Sequence, residues 1–189
     1  MAARVVAMFL LVGAACLPVS ARAGSIEDAD ALYAAGTQLF DQGNFQEALN
    51  LYTQAYAKYP NAKYVFGIAG CYVKLDNLPR ALDAYEMFTQ YEPTPEILKR
   101  VQDETSKLKE MLSKEYGEVF VFSSPSEAQI IIDEISKSNV YATPTRRWLK
   151  EGEHSIFFKK DKCLPREMKI TVKRGEHLYI YAGLKAEGQ

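Results

Sequence analysis

One stretch of this chain occurs twice, and that repetition limits the folds open to it more than any other feature. Residues 32–60 and 66–93 superpose with Leu32 on Phe66, Ala35 on Ala69, Gly36 on Gly70 and Leu39 on Val73, each 34 positions apart. Ala48 then falls on Ala81, Tyr52 on Tyr85, Ala55 on Phe88 and Pro60 on Pro93, each 33 apart, so the second copy is one residue shorter between its halves. A unit of about 34 residues that recurs is one supersecondary element, which buries its apolar face by stacking on its neighbour. Each copy reads as two helices. Gly in a helix interior costs about 1 kcal/mol against Ala, so Ala35-Gly36 and Ala69-Gly70 at the same phase imply close helix approach. Ala48 and Ala81 are the small partners on the second helices, and Tyr52 and Tyr85 fill the space between pairs. Gln42-Gly43-Asn44 and Asp76-Asn77-Leu78-Pro79 mark the turns. Pro60 and Pro93 stop the second helices.

These matched positions resemble the tetratricopeptide family over residues 28–92. The resemblance implies a binding scaffold whose first helices line a concave groove. By it, Tyr33, Thr37 and Phe40 of the first copy and Tyr64, Gly67, Cys71 and Lys74 of the second would face a bound protein segment. The carboxylate-binding subtype of the family uses Lys and Asn at such places. Tyr33, Thr37, Gly67 and Cys71 do not match that pattern, so the groove reads as neutral and partly aromatic, suited to an extended or helical segment. The remaining tyrosines read as core packing and helix cover rather than a cofactor box.

After the repeats, Thr94-Pro95-Glu96 gives a helix start: an N-cap residue, Pro at the first helical position and an acid in the first turn. Ile97, Val101, Leu108, Met111 and Leu112 return at helical spacing, and Gly117 is placed to end the helix. About three repeats are usually needed to close such an array. This helix is therefore expected to cap the second pair; a solvated connecting helix is the alternative.

From Glu118 the pattern changes to short β runs at 118–122, 128–133, 154–158, 168–172 and 178–181, separated by Pro, Gly and charged turns. That reads as a small β-sandwich or open barrel. Gly117-Glu-Val-Phe-Val, Ser124-Pro125, Ala128-Gln-Ile-Ile-Ile-Asp133, Thr143-Pro144 and Lys150-Glu-Gly152-Glu-His154 resemble the PEGA domain family. Two departures stand out. Asp133 is followed by Glu134 and a longer loop rather than Gly, and the usual Gly-Tyr pair is replaced around Lys162-Cys163. The resemblance implies an envelope-associated, non-catalytic module and names no substrate. The fold class expected is thus α+β: a leader at 1–23, a helical array of two repeats plus a capping helix at 24–116, a small all-β domain at 117–184, and a tail at 185–189.

The leader has Arg4 before an apolar run from Val5 to Leu17, a break at Pro18, and Ala21-Arg22-Ala23 before Gly24. This is the pattern of a cleavable export signal, and the run is shorter than the ~20 residues of a membrane span. A periplasmic location follows. Gly13-Ala14-Ala15 before Cys16 departs from a lipoprotein box, so Cys16 reads as discarded. The alternative is a lipoprotein, membrane-bound only through Cys16. Cys71 and Cys163 remain. An exported chain can form disulfides, but two unpaired thiols are the expected state.

Nothing in the pattern suggests chemistry. No Gly-x-Ser-x-Gly elbow, phosphate-cradling Gly loop or His-x-x-x-His pair occurs. His154 and His177 read as turn or strand residues, and Asp133-Glu134 as a turn. No catalytic residue, metal or cofactor is expected. The formal net charge is −1, which gives no reason to expect nucleic acid. Charge divides between the halves: 9 basic and 14 acidic residues over 24–116, and 12 basic and 10 acidic from Gly117 onward. The two halves should attract. Arg146-Arg147-Trp148 reads as a loop carrying a basic and aromatic spot. Trp148 packing inward beside solvated arginines is the plainer reading; contact with an acidic partner or an envelope glycan such as peptidoglycan is the functional one. The function expected is a periplasmic adaptor that binds an envelope protein in its groove, with glycan binding by the β-domain as the rival.

Overall fold

The structure is a computed structural model that describes residues 20–133 and 140–188. The expected leader with its apolar run and Cys16, and the loop after Asp133, lie outside the described residues, save for the leader's last residues. Those fall in the first helix, α1, which runs Ser20–Asp41. The segment 24–28 is helical as well: Ala29 just beyond it is fully buried, so the helix has a reason to continue through it.

Two helical pairs and a fifth helix follow the repeat: α1 with α2 (Phe45–Lys58), α3 (Ala62–Lys74) with α4 (Leu78–Thr89), then α5 (Pro95–Leu112). Local chemistry sets their ends. The Asn61 side chain accepts from the Lys63 N–H at 3.0 Å, and Asn77 from the Arg80 N–H. Pro95 opens α5 after Thr94, whose hydroxyl makes no capping bond. Of the two glycines in phase, the first has the packing reason that the phase implies. A Cβ on Gly36 would lie 2.8 Å from the Tyr52 ring, and one on Gly67 would lie 2.8 Å from the ring's other edge. Tyr52 of α2 is thus wedged between α1 and α3, and its hydroxyl donates to Thr37 Oγ1 at 3.2 Å. Gly70, in phase with Gly36, meets only Phe40 at ordinary contact distance. The close approach in the second copy is made at Gly67 instead.

α5 caps the array. Val101, Leu108 and Leu112 are buried with Val65, Ala69, Leu82 and Phe88 of the second pair. Gly117, however, does not end the helix. α5 stops at Leu112 and Gly117 lies inside the first strand, β1 (Tyr116–Ser124).

The β-domain is a sandwich of two sheets. The remaining strands are β2 (Gln129–Ile132), β3 (Val140–Ala142), β4 (Thr145–Lys150), β5 (Gly152–Lys159), β6 (Arg166–Val172) and β7 (His177–Gly183). One sheet has the order β4-β1-β7 and the other β3-β2-β5-β6. β1 and β7 run parallel, and the other pairs are antiparallel. Val119, Val121, Ile130, Ile156, Phe158 and Val172 fill the space between the sheets. β4 is a strand where a loop was expected: Arg146, Arg147 and Trp148 pair with Phe120, Val119 and Glu118 of β1. The expected tail is partly folded too. Cys163 and Ala186 form a β-bridge, and the Leu164 N–H donates to the Lys185 carbonyl at 2.8 Å. Among the described residues no helix is long and apolar enough to cross a membrane.

Candidate functional site

The concave side of the array holds a groove of about 740 Å³, walled by α1, α3, α4 and α5. Its floor is aromatic. The Phe66 ring packs edge-on to Tyr85 and tilted on Phe88, with centroids 5.9 and 5.4 Å away. Phe66 is nonetheless 43 % exposed, and Ile97 across the groove is 40 % exposed. Two large apolar side chains therefore face solvent at the centre of a concavity. Tyr33 closes the end on α1.

The walls carry both signs of charge. Lys63 is tied to Asp30 at 2.6 Å and Lys107 to Glu104 at 2.9 Å. Lys63 also lies 5.5 Å from the centroid of the Tyr33 ring. Its hydrogen bond to Asp30, together with one from Tyr64, holds the Asp30 carboxyl below the usual range. Arg100 and Asp103 also line the groove and make no ion pair among the described residues. An apolar floor between mixed-charge walls accepts a segment that inserts apolar anchors and presents polar residues to the rims.

Of the seven groove residues expected from sequence, Tyr33 lines this groove. Tyr64 does not: it is fully buried, and its hydroxyl donates to Asp30 at 2.5 Å. Burial and that hydrogen bond push the Tyr64 phenol up to about 12. Cys71 is fully buried as well, in the cluster around Tyr52. Gly67 makes room for Tyr52, Thr37 accepts the Tyr52 hydroxyl, and Phe40 packs on Phe45 at 5.2 Å. Lys74 is exposed at the last turn of α3. The face of α3 turned to the groove carries Lys63 and Phe66, one position before Tyr64 and Gly67. One helical position is about 100° of rotation, enough to exchange the open face for the buried one. A large apolar side chain left exposed on α3, matched by Ile97 on α5, is the signal that marks the groove.

Burial pushes the Cys71 thiol up to about 11, and Cys163 is also buried and unpaired. Because the thiolate is the nucleophile, Cys71 in the folded protein should alkylate at pH 8 about 100-fold more slowly than a thiol at the ordinary value of 9. Mass spectrometry of protein treated with iodoacetamide, native against denatured, checks this. Equal labelling in both states would refute the buried placement.

The expected β-domain spot is not free. Arg147 Nη1 pairs with Asp83 of α4 at 2.7 Å, and Arg146 pairs with Glu86 of α4 and with Glu118 of β1. Burial raises the Asp83 carboxyl, although Arg147 draws it down. Trp148 packs, with Tyr116, against the helical core, and its buried Nε1 meets no acceptor among the described residues. The acidic partner of these arginines is therefore the helical half of the same chain. The histidines serve the β-domain: His154 bridges the Asp133 carboxylate and the Lys150 carbonyl, both at 2.8 Å, and His177 pairs with Glu118 at 2.9 Å.

Residues 33–92 match the model of the tetratricopeptide repeat family, and residues 116–187 match that of the PEGA domain. No curated protein matches the chain.

Proposed function

Since this chain carries a tetratricopeptide array joined to a PEGA domain, we propose that it is a non-catalytic adaptor exported to the periplasm, where the array holds one protein of the cell envelope. Tetratricopeptide repeats bind other proteins. The observation that carries the reading is the pair Phe66 and Ile97, large apolar side chains left exposed in one groove. The bound segment is amphipathic, inserting one or two apolar side chains over Phe66 and Ile97 and meeting Arg100 and Asp103 at the rim. The PEGA domain, fixed to α4 by its arginines, spaces the groove within the envelope. The leader pattern and the envelope association implied by the PEGA resemblance support the location. With Arg146, Arg147 and Trp148 engaged by α4, no observation favours the glycan reading.

A photo-crosslinking residue at Ile97, in full-length protein expressed in its native cells, tests this. One envelope protein should be captured, and Phe66→Ala should cut its capture at least tenfold, as truncation of a central anchor does. Fractionation of the same cells should place the protein in the periplasm, whereas a membrane-bound pool released by Cys16→Ser would make it a lipoprotein. Capture that is indifferent to Phe66→Ala would remove the groove from the function.

A further inference from the structure

A two-sheet sandwich has four edge strands, and each presents backbone groups that can pair with another chain. Three of the four are guarded here. β4 is covered by α4 through Arg146 and Arg147. β3 is three residues long. β6 carries Arg166, Glu167 and Lys169. β7 has none of these devices: seven residues, His177–Gly183, with no Lys, Arg, Asp, Glu or Pro. Its far end alone is closed, by the 163–164 loop and by Arg166 donating to the Gly183 carbonyl at 2.8 Å.

The hydrogen-bond phase shows what the open part offers. The Glu118 N–H donates to the Glu176 carbonyl at one end of the β1–β7 ladder, and the Leu184 N–H to the Ser124 carbonyl at the other. Alternate residues of a strand turn their backbone groups to opposite sides. Even-numbered residues of β7 therefore bond β1, and His177, Tyr179 and Tyr181 direct theirs to the open edge. The same two tyrosines are the most exposed large hydrophobic side chains among the described residues of the β-domain, at 67 and 65 %. They stand on the outer face of the sheet, where the Tyr179 ring stacks on Phe120 with centroids 4.8 Å apart.

We propose that β7 is a self-association edge, and that a second copy of this chain pairs with it antiparallel about a twofold axis through Ile180. Ile180 is the midpoint of His177–Gly183. In this register Tyr179 lies opposite Tyr181 of the second copy, and Tyr181 opposite its Tyr179. Both positions direct their amides outward, so the two strands exchange four backbone hydrogen bonds through them. Cross-strand aromatic pairs form on the exposed face. The strand carries no Lys, Arg, Asp or Glu, and in this register His177 lies opposite Gly183, so pairing brings no like charges together. The three-stranded sheet becomes a continuous six-stranded one, β4-β1-β7-β7-β1-β4, and a closed twofold dimer leaves no further β7 edge to propagate. The contact is small for a stable dimer, so association is weak and concentration-dependent.

Sedimentation velocity of the full-length protein over a concentration series, with amide hydrogen exchange on the same samples, tests this. Monomer should convert to dimer as concentration rises, and the Tyr179 and Tyr181 amides should become protected in step with it. Tyr179→Lys/Tyr181→Lys sets lysines opposite lysines and should weaken association at least tenfold. Tyr179→Pro removes only an outward N–H and should do the same. Since both tyrosines are exposed, the melting temperature of the lysine variant should stay near that of the parent at low concentration. A protein that stays monomeric throughout would overturn the proposal. So would a dimer that persists in the lysine variant, or protection of these amides that appears only when a different protein is added.

Discussion

Gly117→Ala is expected to destabilise the β-domain by about 3 kcal/mol, the upper end for overpacking, and to lower its melting temperature by roughly 10 °C or more. Gly117 is buried at the start of β1, where the strand crosses the end of β6 and the turn into β7. A Cβ there would lie 2.6 Å from the Lys173 carbonyl oxygen, 2.6 Å from Val172 Cγ1 and 3.3 Å from the Glu176 carbonyl oxygen. Two of these three atoms belong to the backbone, so no side-chain rotation relieves the contact. The obstructing segment is also pinned. The Gly175 N–H donates to the Tyr116 carbonyl at 2.9 Å, and the Glu118 N–H to the Glu176 carbonyl at 2.8 Å. Opening space for one methyl group would break the bonds that hold β1 to β7. Gly183→Ala is the control: nothing lies within 4 Å of its Cβ position, and its effect should stay within about 0.5 kcal/mol. Thermal unfolding followed by near-ultraviolet circular dichroism compares the two. Equal melting temperatures would contradict the close approach at Gly117.

Gly117 also shows where a sequence speaks clearly and where it does not. The change from helical to alternating period near it is a local signal, and the first strand begins there, at Tyr116. The reason for the glycine was not legible, because it lies in atoms more than fifty positions further along the chain. The repeat was legible for the opposite reason. Each copy buries its second helix in the same way, so Ala48 and Tyr52 return at one phase as Ala81 and Tyr85, all buried. Phase is as far as the repeat leads. Whether Tyr64 or Phe66 faces the groove depends on Asp30, 34 positions earlier, which holds the Tyr64 hydroxyl inside. β4 was hidden for a third reason. Arg146-Arg147-Trp148 shows no alternation of apolar and polar residues, because both faces of the strand are occupied: Arg146 and Trp148 reach the helical half on one side, and Arg147 reaches Asp83 while lying 4.2 Å from the centroid of the Tyr141 ring. A strand completed by a helix from another domain has no period of its own. The opposite charges of the two halves implied attraction, but not the residues that deliver it.

Arg146→Ala should loosen the joint between the halves and cost about 2 kcal/mol, less than the 3–5 typical of a fully buried pair because Arg146 and Glu86 keep 28 and 35 % of their side-chain exposure. The guanidinium joins two carboxylates from different domains. It pairs with Glu86 of α4, and its Nε lies 3.4 Å from Glu118 Oε1. The hydrogen bond to Glu86 raises the arginine above even its usual value. Glu118 keeps only 9 % exposure and, among the described residues, would be left with the exposed His177 as its ionic partner, while Glu86 retains Lys109 at 3.5 Å. The loss therefore falls chiefly on Glu118, a carboxylate too buried to return to water. Arg146→Lys keeps the charge but not the planar fork that reaches both acids, so it should recover less than half of the stability. The coupling energy between Arg146→Ala and Glu86→Ala in a double-mutant cycle should exceed about 1 kcal/mol. With the joint weakened, protease should cut the exposed 114–115 link between α5 and β1 faster than in the parent. Additive single changes and unaltered cleavage would mean that the joint rests on Arg147, Trp148 and Tyr116 rather than on Arg146. If the coupling is found, the arginine pair sets the direction in which the groove faces relative to the β7 edge. The proposed adaptor role needs that angle fixed, and the two arginines join β4 to α4 at the strand edge that the helical half covers.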